Sequence, residues 1–216
     1  MGQSQDHLDA CAQTPVNLRS AGNFSILAGA TATNTGPTVV VGDLGVSPGT
    51  ALTGFLPGKV VGNEHLADPT SAIAEADLTV AYNDAAGRTL CPISIAGNLG
   101  GLTLKPGLYK STSSLEISSG DLTLDAKGDA TAVFIFQIAS TLTTTVGRQI
   151  VLKGGAVASH VFWQVGSSAT LGTYSVFAGT IMADQSISLL TGATLNGRAL
   201  ARIAAVTMDS NAVTRP

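Results

Sequence analysis

The last third of the chain repeats one phrase four times, and the phrase is built from hydroxyls. It runs VFIFQIASTLT from Val133, VFWQVGSSATL from Val161, FAGTIMADQSISL from Phe177 and GRALARIAAVTM from Gly197. Each copy places an apolar or small-residue run before a short break, then alternates hydroxyl or small residues with apolar ones. The alternating centres are Thr141-Leu142-Thr143, Ser168-Ala169-Thr170, Ser186-Ile187-Ser188 and Ala205-Val206-Thr207. From Thr143 to Thr170 is 27 residues, then 18 to Ser188 and 19 to Thr207. Strand-like pieces at a period of about 20 residues predict a stacked solenoid, whose units bury their apolar sides against their neighbours. Such a chain would carry rows of Thr and Ser on its outside.

Composition supports that surface. Charged residues make up 12% of the 216 positions, against roughly 25% in an average domain. Glycine and threonine each number 25, while 44% of residues are hydrophobic, enough for a sizeable core. The exterior must therefore be covered by Thr, Ser, Gly and Asn. The net charge is −3 and the basic residues are scattered, so no cluster is dense enough to track a phosphate backbone, and nucleic acid is excluded as a partner. No apolar run approaches the ~20 residues that span a bilayer. The N-terminal stretch MGQSQDHLDACAQTP has no apolar signal core. That leaves a cytoplasmic protein or a secreted one whose leader has been removed, and the second is preferred. Cys11 and Cys91 are consistent with one disulfide in a secreted protein, the alternative being two free thiols.

Residues 1–16 show no period and are expected to form a flexible arm, with 17–216 a single domain. Strands broken by turns are expected from Asn23 to Val46, and a loop in SPGTALTGFLPGK from Ser47. Asp68 to Arg88 predicts a helix over about 69–87. Asp68 suits the N-cap, Pro69 the first helical position and Gly87 the stop. Ile73, Ala74, Asp77, Leu78, Ala81, Tyr82 and Ala85 form one mostly apolar stripe, which needs a surface to lie on. From Leu99 to about Val213 the chain alternates with period two again.

An enzyme would need converging titratable groups. No Asp or Glu occurs between Ala130 and Ala183, and the remaining acids stand singly in turn-like contexts such as Asp43, Asp121 and Asp129. Paired-carboxylate hydrolysis needs two convergent acids. His7, His65 and His160 lack metal-ligand spacing. Arg198 and Arg202 are four apart, share a strand face by even spacing, and have no acid close in sequence. No catalytic residue, metal or cofactor is therefore expected. Outward Thr and Ser on stacked strands instead form a grid, ~4.7–4.9 Å across strands and ~6.6–6.8 Å along them. Stiff χ1 angles hold the threonines in place. Such a neutral grid can order water between its methyls and merge that layer with ice. Two alternatives remain open at this point. A solenoid adhesin or glycan-binding module would need outward aromatics, and alternation leaves one of Phe162 and Trp163 outward. A solenoid hydrolase would need acids that converge on folding.

Several motifs carry a family resemblance. NLRSAGNFSILAGATATNTGP, VVVGDLGVSPG, AYNDAAGR, GGLTLKPGLYK, VFIFQIASTL, HVFWQVGSSATLG and GATLNGRALA, in this order from about Asn17 to Val213, resemble the ice-binding proteins of cold-adapted bacteria, fungi and algae. The resemblance implies a mainly β fold: a right-handed, discontinuous β-solenoid of triangular cross-section with a long helix along one side. It also implies secretion, ice as the partner and no chemical reaction; neither a membrane nor a second subunit is expected as a partner. Members of the family carry Thr-Ala/Gly-X-Thr/Asn motifs on a flat face, matched here by Thr31-Ala32-Thr33-Asn34 and Thr191-Gly192-Ala193-Thr194. The expected ice-binding set is thus Thr31, Thr33, Asn34, Thr173, Ser175, Thr191, Thr194 and Asn196. Tyr174 is expected to point inward by alternation. Thr143, Thr170, Ser188 and Thr207 form a possible second face. The segment Ala51 to Ala67 has no cysteine, so any cap there is held by packing.

Overall fold

A computed structural model of the chain describes residues 11–216. Positions 1–10, most of the expected arm, lie outside the described residues. The rest of that arm is anchored. Cys11 is disulfide-bonded to Cys91, Val16 is buried, and the carbonyls of Thr14 and Pro15 accept hydrogen bonds from Arg88. Apolar burial and a covalent tie, neither visible as periodicity, replace the expected flexibility of 11–16.

Short parallel strands stack into three faces. One face is an eight-stranded sheet whose strands run, in spatial order, Ala51–Thr53, Thr31–Thr35, Val206–Asp209, Ile187–Leu189, Ala169–Leu171, Leu142–Thr144, Leu115–Ile117 and Gly97–Asn98. The strand Ala51–Thr53 falls inside the Gly/Pro-rich stretch expected to be loop; pairing with Thr31–Thr35 overrides its turn-rich composition. The other two faces are joined by two bent strands, Val176–Ala183 and Thr194–Ala201. Thr194–Asn196 pairs with Ala212–Thr214, whereas Ala199–Ala201 pairs with Ile26–Ala28. The bends fall at Gly179 and Gly197. Gly179 has φ +110, and a Cβ at Gly197 would sit 1.9 Å from the Gly179 carbonyl oxygen, so neither corner admits a side chain.

The topology is discontinuous. The first coil, from Phe24 to Val41, stacks on the last, which ends at Ala212–Thr214. The second coil lies outside the first. The helix Pro69–Gly87 then carries the chain to the far end, from which the coils run back. Its 19 residues span ~28 Å, about the width of six inter-strand steps at ~4.8 Å. It accordingly packs against Glu64–Leu66, Asp43–Val46, Phe24–Ala28, Val176–Ala183, Val161–Val165 and Phe134–Ile138.

The helix begins and ends where local signals place it. The Asp68 carboxylate accepts the Ser71 backbone N–H at 2.8 Å, and Ser71 returns a bond to the Asp68 backbone, closing a capping box. At the other end the Gln137 amide, projecting from the sheet, donates to the carbonyls of Ala85 and Arg88 at 2.8 Å each. Ser71, Ala74, Leu78, Ala81, Tyr82 and Ala85 are buried. Ile73, expected in the stripe, is exposed, because the buried stripe is centred on Ala74 and Leu78. The Ser71 N–H, then the His65 ring, hold the Asp68 carboxyl down to about 2, below its ordinary 3.8. A depressed carboxyl stabilises the fold above its unfolded pKa and loses that contribution as pH falls through the folded value. Asp68→Ala should therefore lower the melting temperature by a few degrees at pH 7. The gap from the parent should close as pH drops from 4 to 2, as read by circular dichroism melts.

Two apolar layers result. Inside the solenoid, aromatic side chains stack coil on coil: Tyr109 on Phe136 at 5.2 Å, Phe136 on Trp163 at 3.9 Å, and Trp163 tilted on Phe177 at 5.2 Å. Between helix and sheet a second layer holds Phe24, Leu27, Ile135, Phe162 and Leu200. Phe162 and Trp163 are thus both buried. Neither is the outward aromatic that simple alternation requires, because the second face of that strand is covered by the layer under the helix.

Glu75 sits at the helix–sheet boundary. Its Oε1 is buried without a hydrogen-bond partner, and burial pushes the carboxyl up to about 8 from 4.5, against the pull of Arg202. The folded state therefore binds the extra proton between those values, and stability falls as pH rises from about 4.5 to about 8. Glu75→Gln should match the parent at pH 5 and exceed it in denaturation free energy at pH 9 by a few kcal/mol.

Candidate functional site

The eight-stranded face is where the repeated phrases converge. Register places Thr53, Thr33, Thr207, Ser188, Thr170, Thr143, Glu116 and Asn98 in one row across all eight strands. Between them point the inward residues Leu52, Ala32, Val206, Ile187, Ala169, Leu142 and Leu115, most of them buried in the core. Alternation with period two sends every second side chain out. A second outward row stands two residues earlier: Thr31, Ala205, Ser186, Ser168, Thr141 and Ser114. Thr141 Oγ1 donates to Ser114 Oγ at 2.8 Å, which locks two neighbours of that row together. Glu116, near one end, is the only charged side chain in these two rows. The rows extend over roughly 34 Å at ~4.8 Å per strand. The residues expected as a separate second face, Thr143, Thr170, Ser188 and Thr207, are therefore in line with Thr33.

The other expected residues are dispersed. Asn34 points inward and is buried, its amide donating to the carbonyls of Gly36 and Gly54 at 2.9 and 2.8 Å. Ser175 is also fully buried. Alternation makes Asn34 the inward neighbour of Thr33, and the corner after Gly172 turns Ser175 into the core. Neither can meet an external surface. Thr173 lies in that corner, and Thr191 lies in the next, where its hydroxyl donates to the Asp209 carboxylate. Thr194 and Asn196 stand on the uncovered third face, beside Ala212 and Thr214. The two four-residue motifs thus do not share a plane. Tyr174, expected to point inward, is 65% exposed. Its φ of +56 interrupts the alternation, and its ring packs on Gly192.

What the sequence reading missed on this face is the second row and the continuation to Thr53. Ser168, Ser186 and Thr141 stand in the quoted alternating centres, so a signal for them existed. Thr53 had none, because it lies in a stretch with turn composition.

A flat neutral sheet of parallel strands, a discontinuous first coil and one side helix define a class of protein, and comparison with known proteins agrees. The family model described as ice-binding-like matches residues 26–214, and the chain belongs to that family. An ice-binding protein of Nostoc sp. (strain HG1) is 50% identical over 199 residues, covering 91% of this chain and 72% of that protein. One of Flavobacterium frigoris (strain PS1) is 40% identical, covering 93% and 76%. Among solved structures, an ice-binding protein from an Antarctic biological consortium superposes with a TM-score of 0.93 at 57% identity, covering 94% of this chain and 91% of that one. The ice-binding protein of the Antarctic ascomycete Antarctomyces psychrotrophicus gives 0.89 at 44% identity, covering 93% and 98%.

Proposed function

We propose that this protein adsorbs to ice through the eight-stranded face, with Thr31, Thr33, Thr143, Thr170, Ser188 and Thr207 as principal contacts and Ser168, Ser186 and Thr141 beside them. The observation that carries this reading is the in-register pair of hydroxyl rows, free of charge over most of its length. Ordered water held between the methyls and hydroxyls would merge with the crystal, and the growth front would bulge between adsorbed molecules. Freezing is then depressed and recrystallisation slowed, with no chemical step and no cofactor. The protein would act as a monomer outside the cell, needing neither nucleic acid nor membrane. The disulfide between Cys11 and Cys91 suits that compartment. A glycan-binding module would need outward aromatic platforms; Phe162 and Trp163 are buried, and the exposed Tyr174 stands alone at a corner.

Single-crystal growth in a nanolitre osmometer tests the proposal. Faceted crystals whose growth arrests below the melting point are expected. Round discs growing as in buffer, or glycan binding without ice shaping, would overturn it.

A further inference from the structure

Arg198 and Arg202 lie four residues apart, yet only one is neutralised. Arg202 donates to the Asp184 carboxylate at 2.6 Å, one coil away, and its guanidinium lies 4.6 Å from the Tyr82 ring centre. That partner is invisible in the local sequence and corrects the expectation that neither arginine has an acid. Arg198 forms no ion pair among the described residues. Its Nε donates to the Gly22 carbonyl at 3.1 Å and its Nη1 to Thr180 Oγ1 at 3.2 Å. Both acceptors are neutral, and Nη2 has no acceptor among the described residues.

Arg198 lines a cleft of about 450 Å³ between the segment 15–22 and the turn carrying Ser159 and His160, with Phe162 on its wall. Arg19 lines it too. The His160 Nδ1 is buried and has no partner. Burial, and then the nearby Arg215, pull the Arg198 guanidinium down to about 10 from 12.5. The neighbouring acids are already engaged: Asp77 by Ser20 and Arg19, Asp129 by Thr131. A half-buried cation beside a second cation, with no counter-charge, is costly unless an anion completes it. A guanidinium offers a planar fork of donors that matches an oxyanion.

We propose that this cleft binds a small oxyanion, phosphate- or carboxylate-bearing, on the free Nη2 edge of Arg198, with Arg19 on the same lining. Calorimetric titration of the full chain with sodium phosphate and sodium acetate, against sodium chloride at equal ionic strength, tests it. Saturable binding of one phosphate or one acetate per chain is expected, and whichever binds names the headgroup. Arg198→Met should weaken that binding at least tenfold. Should that variant not fold, Arg215→Gln, at an exposed position, should weaken it several-fold. Heats no different from chloride, or undiminished binding in a folded Arg198→Met protein, overturn the proposal.

Discussion

Thr170→Tyr should abolish most of the thermal hysteresis while leaving the fold intact. Thr170 stands mid-row, with Thr143 on one side and Ser188 on the other, each ~4.8 Å away. Its side chain points out, so no core atom moves. Tyr is also favoured in strands, and an outward substitution changes stability by only about 0.5 kcal/mol. The ring, however, projects beyond a surface of methyls and hydroxyls and holds neighbouring rows off the crystal. Adsorption to a rigid lattice needs simultaneous contact over the whole patch, so one protrusion costs far more than one contact. Thr194→Tyr is the matched comparison, because Thr194 lies on the third face; it should retain at least about half of the parent's hysteresis. Loss in Thr194→Tyr with retention in Thr170→Tyr would assign ice contact to the third face and refute the proposed site.

Trp163→Ala should destabilise the protein by about 3–5 kcal/mol. The indole is fully buried and stacks 3.9 Å from Phe136. Its Nε1–H donates to the Ala178 carbonyl at 3.0 Å. Truncation leaves a cavity between coils, removes stacking on both sides, and strands that carbonyl in the core. Denaturant titration should show a lower midpoint at a similar slope. Protein that remains folded should still shape ice, since no outward residue changes. A loss below about 1 kcal/mol would mean that the coils close over the gap, and that the aromatic stack is not what joins them.

These two substitutions separate what can be read locally from what cannot. The helix was legible to the residue, because its signals are local: a capping Asp68, Pro69 behind it, small and apolar residues every three or four positions. Alternation likewise marked Thr143, Thr170, Ser188 and Thr207 as outward, and family resemblance supplied the solenoid with its displaced first coil. The candidate site was legible only in part. Tyr174 and Ser175 were misplaced because one left-handed residue breaks the alternation. Thr194 and Asn196 were grouped with Thr31 because the corner that separates their faces, with Gly192 at φ +70, lies inside the four-residue motif and reads as an ordinary Thr/Gly turn. The Arg202–Asp184 pair went unseen because its partner sits 18 positions upstream.

By itself, then, the sequence settled the in-or-out direction of most strand residues, the helix, and the scarcity of charge, since each depends on neighbours a few positions away. Only the tertiary structure decided which hydroxyls share a plane. Thr33 joins Thr207 because the first coil stacks on the last, a pairing between segments more than 170 residues apart. No local propensity encodes that register. It follows from burying Ala32 and Val206 in one continuous core, and the flat outer face is the other side of the same packing.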